Sequence, residues 1–256
     1  TGPGKVSPYQ ALSSYRLSAT WPTRGKYKRP LRQVPLASLW YPARRPAARR
    51  RGGRPTPMPR PRPLRPPPPT TRTAALRASG LGVVETREPG GTTGAEQIRA
   101  LLVSGDADRW GPLSEALLVY AARADHVARV IAPALAEGAV VLCDRFCDST
   151  MAYQGYAGGL GRATIETLDA LTIAQTRPDL TFILDLPVDV GLARAAARQG
   201  GEARFEAKGV AVHQALRAAF LDIAAREPHR CHVLDAQAPA EAVCAAALAL
   251  IRERLA

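Results

Sequence analysis

Three short runs set the terms for any fold of this chain: AVVLCD (139–144), LTFILD (180–185) and CHVLD (231–235). Each is almost wholly apolar and closes on an aspartate. Such a run, too short for a helix and without polar alternation, suits a strand covered on both faces of a parallel sheet. LGVVET (81–86) is a fourth. Helical stretches fill the intervals, at about 94–104, 114–137, 161–175, 188–198, 208–226 and 239–255. AALRASG (74–80) precedes them and ends like a helix capped by Gly80. In the longest stretch, Leu117, Leu118, Ala121, Ala124, Val127, Val130 and Ile131 are expected to form the apolar face, with Pro133 near its end. Repeated βα units predict an α/β, doubly wound parallel sheet whose ligands sit at the carboxyl ends of its strands. Asp144 stands at such an end, beside Arg145.

Charge divides the chain in two. Residues 1–72 hold 17 Lys/Arg, 16 of the 23 prolines and no acidic side chain, whereas 73–256 hold 18 basic and 22 acidic ones. The first part carries +17 and the second −4, within a net charge of +13. RRPAARRRGGRPTPMPRPRPLRPPPP (44–69) has too many prolines for a helix and too little apolar material for a core. Residues 1–72 are therefore expected to be a disordered basic segment, with the folded domain at 73–256. Its origin has three readings: a nucleic-acid-binding arm, a targeting peptide, or an out-of-frame translation. The last is favoured, because Arg, Pro, Ala and Gly are encoded largely by G/C-only codons and the Ala-rich domain points to a GC-rich gene.

Nothing apolar is long enough to span a membrane. The cysteines (Cys143, Cys147, Cys231, Cys244) form no CxxC pair and the histidines no HExxH, so reduced structural thiols in a cytoplasmic protein are expected, with no protein-held metal.

TREPGGT (86–92) sets Arg87 and Glu88 before a Pro-Gly-Gly turn at the mouth of a helix. A helix N-terminus offers free N–H groups and a positive dipole end to a phosphate; an ordinary strand-to-helix turn with surface charges reads the same way. Further along come YAARADH (120–126), DRF (144–146), STMAYQG (149–155), RPDLTFILDLP (177–187) and the Arg-studded RAAARQGGEARFE (194–206). In this order and spacing the six segments resemble the thymidylate kinases, members of the P-loop nucleoside monophosphate kinases. The resemblance begins near Ala74 and runs to the C-terminus, about 180 of 256 residues.

The resemblance implies transfer of the ATP γ-phosphoryl group to dTMP, giving dTDP for dTTP synthesis, with Mg2+ and in a homodimer. It implies that Arg145 holds the acceptor phosphate and Asp144 helps position a water-bound magnesium. Arg87 would lie next to the monophosphate, and Glu88, Pro89 and Gly90 would form a tight turn with a cis-proline. By the same likeness Arg123 reads the thymine edge, and Tyr153 and Gln154 line the deoxyribose and base. Arg194, Arg198 and Arg204 correspond to lid arginines that close on the ATP phosphates. Arginines converging from several elements suit phosphoryl transfer, which is largely positioning and neutralisation of charge.

Two departures stand out. Four residues before Arg123 the family usually has a phenylalanine that stacks on the base; here it is Val119, so stacking falls to Tyr120 or is weaker. The second departure is larger. No GxxxxGK[ST] loop occurs: Gly4-Lys5 and Gly25-Lys26 lack both the earlier glycine and the following Ser or Thr. The fold is therefore expected to lack its first, central strand, since LRQVPLASLWY (31–41) contains Pro35. Kinase activity of this chain becomes doubtful. The competing readings are an inactive kinase-like module whose basic arm binds nucleic acid, and a kinase for another nucleoside monophosphate.

Overall fold

The computed structural model describes residues 33–38, 71–106, 108–173, 175–197 and 209–255, with the backbone alone for 33–38 and 71–73. Its centre is a five-stranded, all-parallel sheet in the order β2-β3-β1-β4-β5. The strands are β1 (Gln33–Ser38), β2 (Val83–Arg87), β3 (Val140–Asp144), β4 (Thr181–Asp185) and β5 (Cys231–Asp235). The helices are α1 (Thr71–Arg77), α2 (Thr93–Val103), α3 (Pro112–His126), α4 (Ala132–Ala136), α5 (Cys147–Thr150), α6 (Arg162–Thr172), α7 (Val188–Ala196), α8 (Val210–Arg226) and α9 (Ala240–Leu255). Four expected strands are present to within two residues, and their apolar runs explain why. Val140, Leu142, Phe182 and Leu184 face α1 and α9, while Val141, Cys143 and Ile183 face the helices of the other side. In β3 and β4, with both faces covered, the one polar side chain before the closing aspartate is Thr181, which is satisfied by donating to Asp148 at 3.0 Å.

The central position is not empty. β1 occupies it, with Gln33 opposite Val141 and Leu36 opposite both Asp144 and Phe182. This corrects the expectation of a missing strand and brings part of the segment expected to be disordered into the sheet. Proline removes one N–H, but successive residues of a parallel strand turn to opposite neighbours, so a single proline interrupts one side only. Pairing with β4 accordingly begins at Leu36, just past Pro35. The other residues expected to be disordered, 1–32 and 39–70, lie outside the described residues, as do both Gly-Lys pairs.

The long helix expected over 114–137 is continuous but widened. A π-helical turn, Val127–Ile131, joins α3 to α4. Pro133 has no N–H to offer the carbonyl of Arg129 and its ring crowds that oxygen, and a wider turn accommodates both effects. The buried face also differs from the expected one. Glu115, Ala116, Tyr120, Ala122, Arg123 and His126 are buried, while Leu117, Ala121 and Ala124 are exposed.

A buried ionic cluster ties α5 to β5. Arg230 grips Asp148 with bonds of 2.6 and 2.8 Å and donates to Glu227 at 2.6 Å. Arg177 adds two bonds of 3.0 Å to Glu227. Burial alone would raise the Glu227 carboxyl, but the hydrogen bond and charge of Arg230, with the charge of Arg177, outweigh it and hold the pKa at about 2. A carboxyl whose pKa falls on folding stabilises the fold above its unfolded value, and that contribution is lost as pH falls through the folded one. We therefore expect the thermal midpoint to fall between about pH 4.5 and pH 2, and less steeply in Glu227→Gln; equal slopes for the two proteins would refute this.

Candidate active site

The turn after β2 is built from both ends. Thr92 caps α2 by accepting the Ala95 N–H at 3.0 Å, and its hydroxyl donates to Asp125 on α3. Glu96, one turn into α2, accepts from the Gly91 N–H at 3.1 Å and from Arg87 at 3.0 and 3.2 Å. Arg99 donates to the Pro89 carbonyl at 2.8 Å. The Glu88–Pro89 bond is cis, as the resemblance implies. Gly91 has a φ of 89°, and a Cβ there would stand 2.4 Å from the His126 ring. Only glycine fits both the backbone and the space.

This turn aims Glu88 inward, where it organises a buried chain of groups. Its Oε2 accepts from Arg123 Nε at 2.7 Å, and its Oε1 lies 3.1 Å from His126 Nδ1. His126 Nε2 in turn lies 2.7 Å from Thr86 Oγ1. The guanidinium of Arg123 is clasped between the rings of Tyr120 and Phe146, at 4.8 and 5.1 Å, and donates to Thr150 Oγ1 at 2.8 Å. Burial works against its charge, yet the Glu88 carboxylate more than offsets this and raises its pKa above the usual arginine value. Buried Nη1 has no hydrogen-bond partner, and its ion-pair partner Asp169 stands 4.0 Å away. The Oγ of Ser149 is likewise buried and unpartnered.

Both residues line one cleft, together with Glu88, Pro89, Arg145, Tyr153 and Gln154. Its apolar walls come from Leu102, Val103, Val119 and Phe146. Arg145 has a φ of 65°, costly for a side-chain-bearing residue, and its guanidinium lies 5.4 Å from the Tyr153 ring centroid. Tyr153 and Gln154 sit in a second π-helical stretch, Met151–Ala157, of the kind often found at functional sites.

Six residues expected at the site therefore meet at the cleft: Glu88, Pro89, Arg123, Arg145, Tyr153 and Gln154. The others are placed differently. Tyr120 is a correction: it is buried in the core beneath Arg123, its hydroxyl donating to Asp169 at 2.8 Å, so its ring does not face the cleft. Arg87 is paired with Glu96 beside the cleft, Gly90 shapes the turn, and Asp144 pairs with Arg87 across the β2–β3 ladder. Arg194, on α7, donates to the Ala236 carbonyl at 2.8 Å. Arg198 and Arg204 lie outside the described residues. Sequence reasoning gave no role to Glu115, His126, Phe146, Ser149 or Thr150. A signal for the first existed, since Glu115, Val119 and Arg123 recur at helical spacing on one face of α3 and all line the cleft.

A family model described as thymidylate kinase matches residues 71–247, well over half of the chain. The chain belongs to the thymidylate kinase family. A thymidylate kinase of Caulobacter vibrioides is 58% identical over 180 residues, covering 70% of this chain and 86% of that protein. One from Nitrobacter hamburgensis is 51% identical over 182 residues, 70% of this chain and 79% of that protein. The crystal structure of thymidylate kinase from Ehrlichia chaffeensis superposes with a TM-score of 0.56 at 27% identity, over 86% of this chain and 97% of that one. The fold is thus the doubly wound sheet of P-loop kinases. Among the described residues no helix is long and apolar enough to cross a membrane.

Magnesium chemistry of this family can be tested against the residues present. The ion keeps several waters and binds through one or two carboxylates plus substrate phosphates. Asp144 offers one carboxylate at the strand end, but the sequence has no GxxxxGK[ST] lysine or hydroxyl, and the described residues hold no cluster of three acidic, His or Cys side chains. These residues do not make a complete magnesium–triphosphate site, and no step is derived through the ion.

Proposed function

We propose that the cleft is the acceptor site of a dTMP kinase, holding dTMP while its phosphate oxygen attacks the γ-phosphorus of ATP and the bond to ADP breaks. The observation that carries this reading is the convergence of two arginines, Arg123 and Arg145, on one cleft. Arg123 would orient the base, and Arg145 would neutralise the acceptor phosphate; Tyr153 would close over the sugar, and the apolar walls would keep water out. The names of the relatives support dTMP as the acceptor.

The donor half is a different matter. With no GxxxxGK[ST] loop in the sequence, the chain is expected to hold dTMP without holding ATP productively. Calorimetric titration separates the halves: saturable dTMP binding with feeble Mg·ATP binding supports this, while normal Mg·ATP affinity refutes the half-site. Tighter binding of AMP or dCMP than of dTMP would transfer the chain to another acceptor.

A homodimer belongs to the same reading. Leu113 and Leu117 stand 51% and 50% exposed on α3, with Leu101 nearby on α2 at 42%, an apolar stripe on the helix pair that carries the site. The chain is expected to sediment as a dimer and Leu113→Glu/Leu117→Glu as a folded monomer; a dimer unchanged by both charges would refute it.

A further inference from the structure

Glu115 is buried in the wall of the cleft, and the proposed reaction gives it no task. Its Oε1 accepts from Gln154 Nε2 at 2.7 Å. An amide has a donor end and an acceptor end that a half-turn exchanges, so its orientation is set by its neighbours. A carboxylate only accepts, so Glu115 obliges Gln154 to turn its NH2 inward and to keep its carbonyl oxygen for the cleft. Arg123, whose guanidinium can only donate, lines the same cleft. The cleft thereby presents one donor and one acceptor in fixed places, with the Ser149 hydroxyl able to serve as either.

We infer that Glu115 is a specificity-determining positioning residue: by fixing the Gln154 amide it makes the cleft accept 4-oxo pyrimidines and refuse 4-amino ones. The inference rests on the acceptor-site reading above. A 4-oxo ring offers a carbonyl oxygen and the adjacent ring N–H, the complement of an arginine donor and an amide oxygen. A 4-amino ring offers the reverse, setting N–H against N–H at Arg123 and lone pair against lone pair at Gln154. Unpaired buried polar groups of this kind discriminate more strongly than an added or missing methyl group. Glutamine at 115 can donate as well as accept, so the Gln154 amide would be free to turn over.

The test compares dissociation constants for dTMP and dCMP, by calorimetry on the full chain, in wild type, E115Q, Q154L and the double variant, with thermal melts to verify folding. Wild type should prefer dTMP by roughly a hundredfold or more. E115Q and Q154L should each shrink that ratio at least tenfold, and E115Q should change nothing further once Gln154 is leucine. An E115Q ratio within twofold of wild type overturns the inference, as does an equal effect of E115Q in the Q154L background. Should E115Q fail to fold, Q154L alone decides, and an undiminished ratio overturns it. A wild-type chain without preference for dTMP overturns the acceptor-site reading and the inference together; a preference that survives these substitutions overturns the inference alone.

Discussion

Supplied with dTMP and Mg·ATP, the 256-residue chain is expected to turn over more than about a thousandfold more slowly than its 58%-identical relative from Caulobacter vibrioides. Removing a single preorganised donor from an active site costs about a hundred- to a thousandfold in rate. A phosphate-binding loop supplies several backbone N–H groups, a lysine and a metal-binding hydroxyl at once. The sequence has no such loop, so none of those groups is supplied by a GxxxxGK[ST] motif. A coupled assay for ADP release checks this directly, and a rate within tenfold of the relative would sink it. The nucleotide sequence upstream of codon 74 gives an independent check: another frame should encode GxxxxGK[ST].

The second large effect is expected at Arg123. Arg123→Met should abolish measurable dTMP binding and also lower stability by about 3–5 kcal/mol, the usual cost of breaking a buried ion pair from one side. The reason is Glu88, a buried carboxyl that would lose its 2.7 Å partner when the guanidinium is removed. Pairing the change with Glu88→Gln should restore much of the stability and none of the binding. Melting and titration of the two variants separate the roles; retained dTMP affinity in Arg123→Met would refute the site.

Strands β3 and β4 were readable because burial on both faces favours apolar side chains, and the half-exposed edge strands β2 and β5 from their shorter apolar runs. β1 was not readable, because one proline counts heavily against a strand in sequence reasoning yet interrupts pairing on one side only. The face of α3 was misread for a physical reason that bears on the site. Its buried stripe carries Glu115, Arg123 and His126, which no hydrophobic pattern can mark, while Leu113 and Leu117 look outward. Polar groups were taken for the surface and apolar groups for the core, and the helix reverses both because one side walls a polar cleft. Arg123 and Arg145 were legible from their motifs alone. Tyr120 was not, since adjacent helix positions diverge by about 100° and the residue beside a cleft-facing valine points into the core.

The order of strands in the sheet also governs how it can assemble. β2 pairs with β3 and β4 with β5, so each half of the sheet joins strands that follow one another along the chain. Only β1 links the halves, and its contact with Val141 spans more than a hundred residues from Gln33. Bringing such distant partners together costs chain entropy before any contact repays it. Two preformed half-sheets closing on a late-arriving middle strand is the route this topology favours, and the cleft, whose lining comes from residues between Glu88 and Gln154, can take shape on the first half before the sheet is whole.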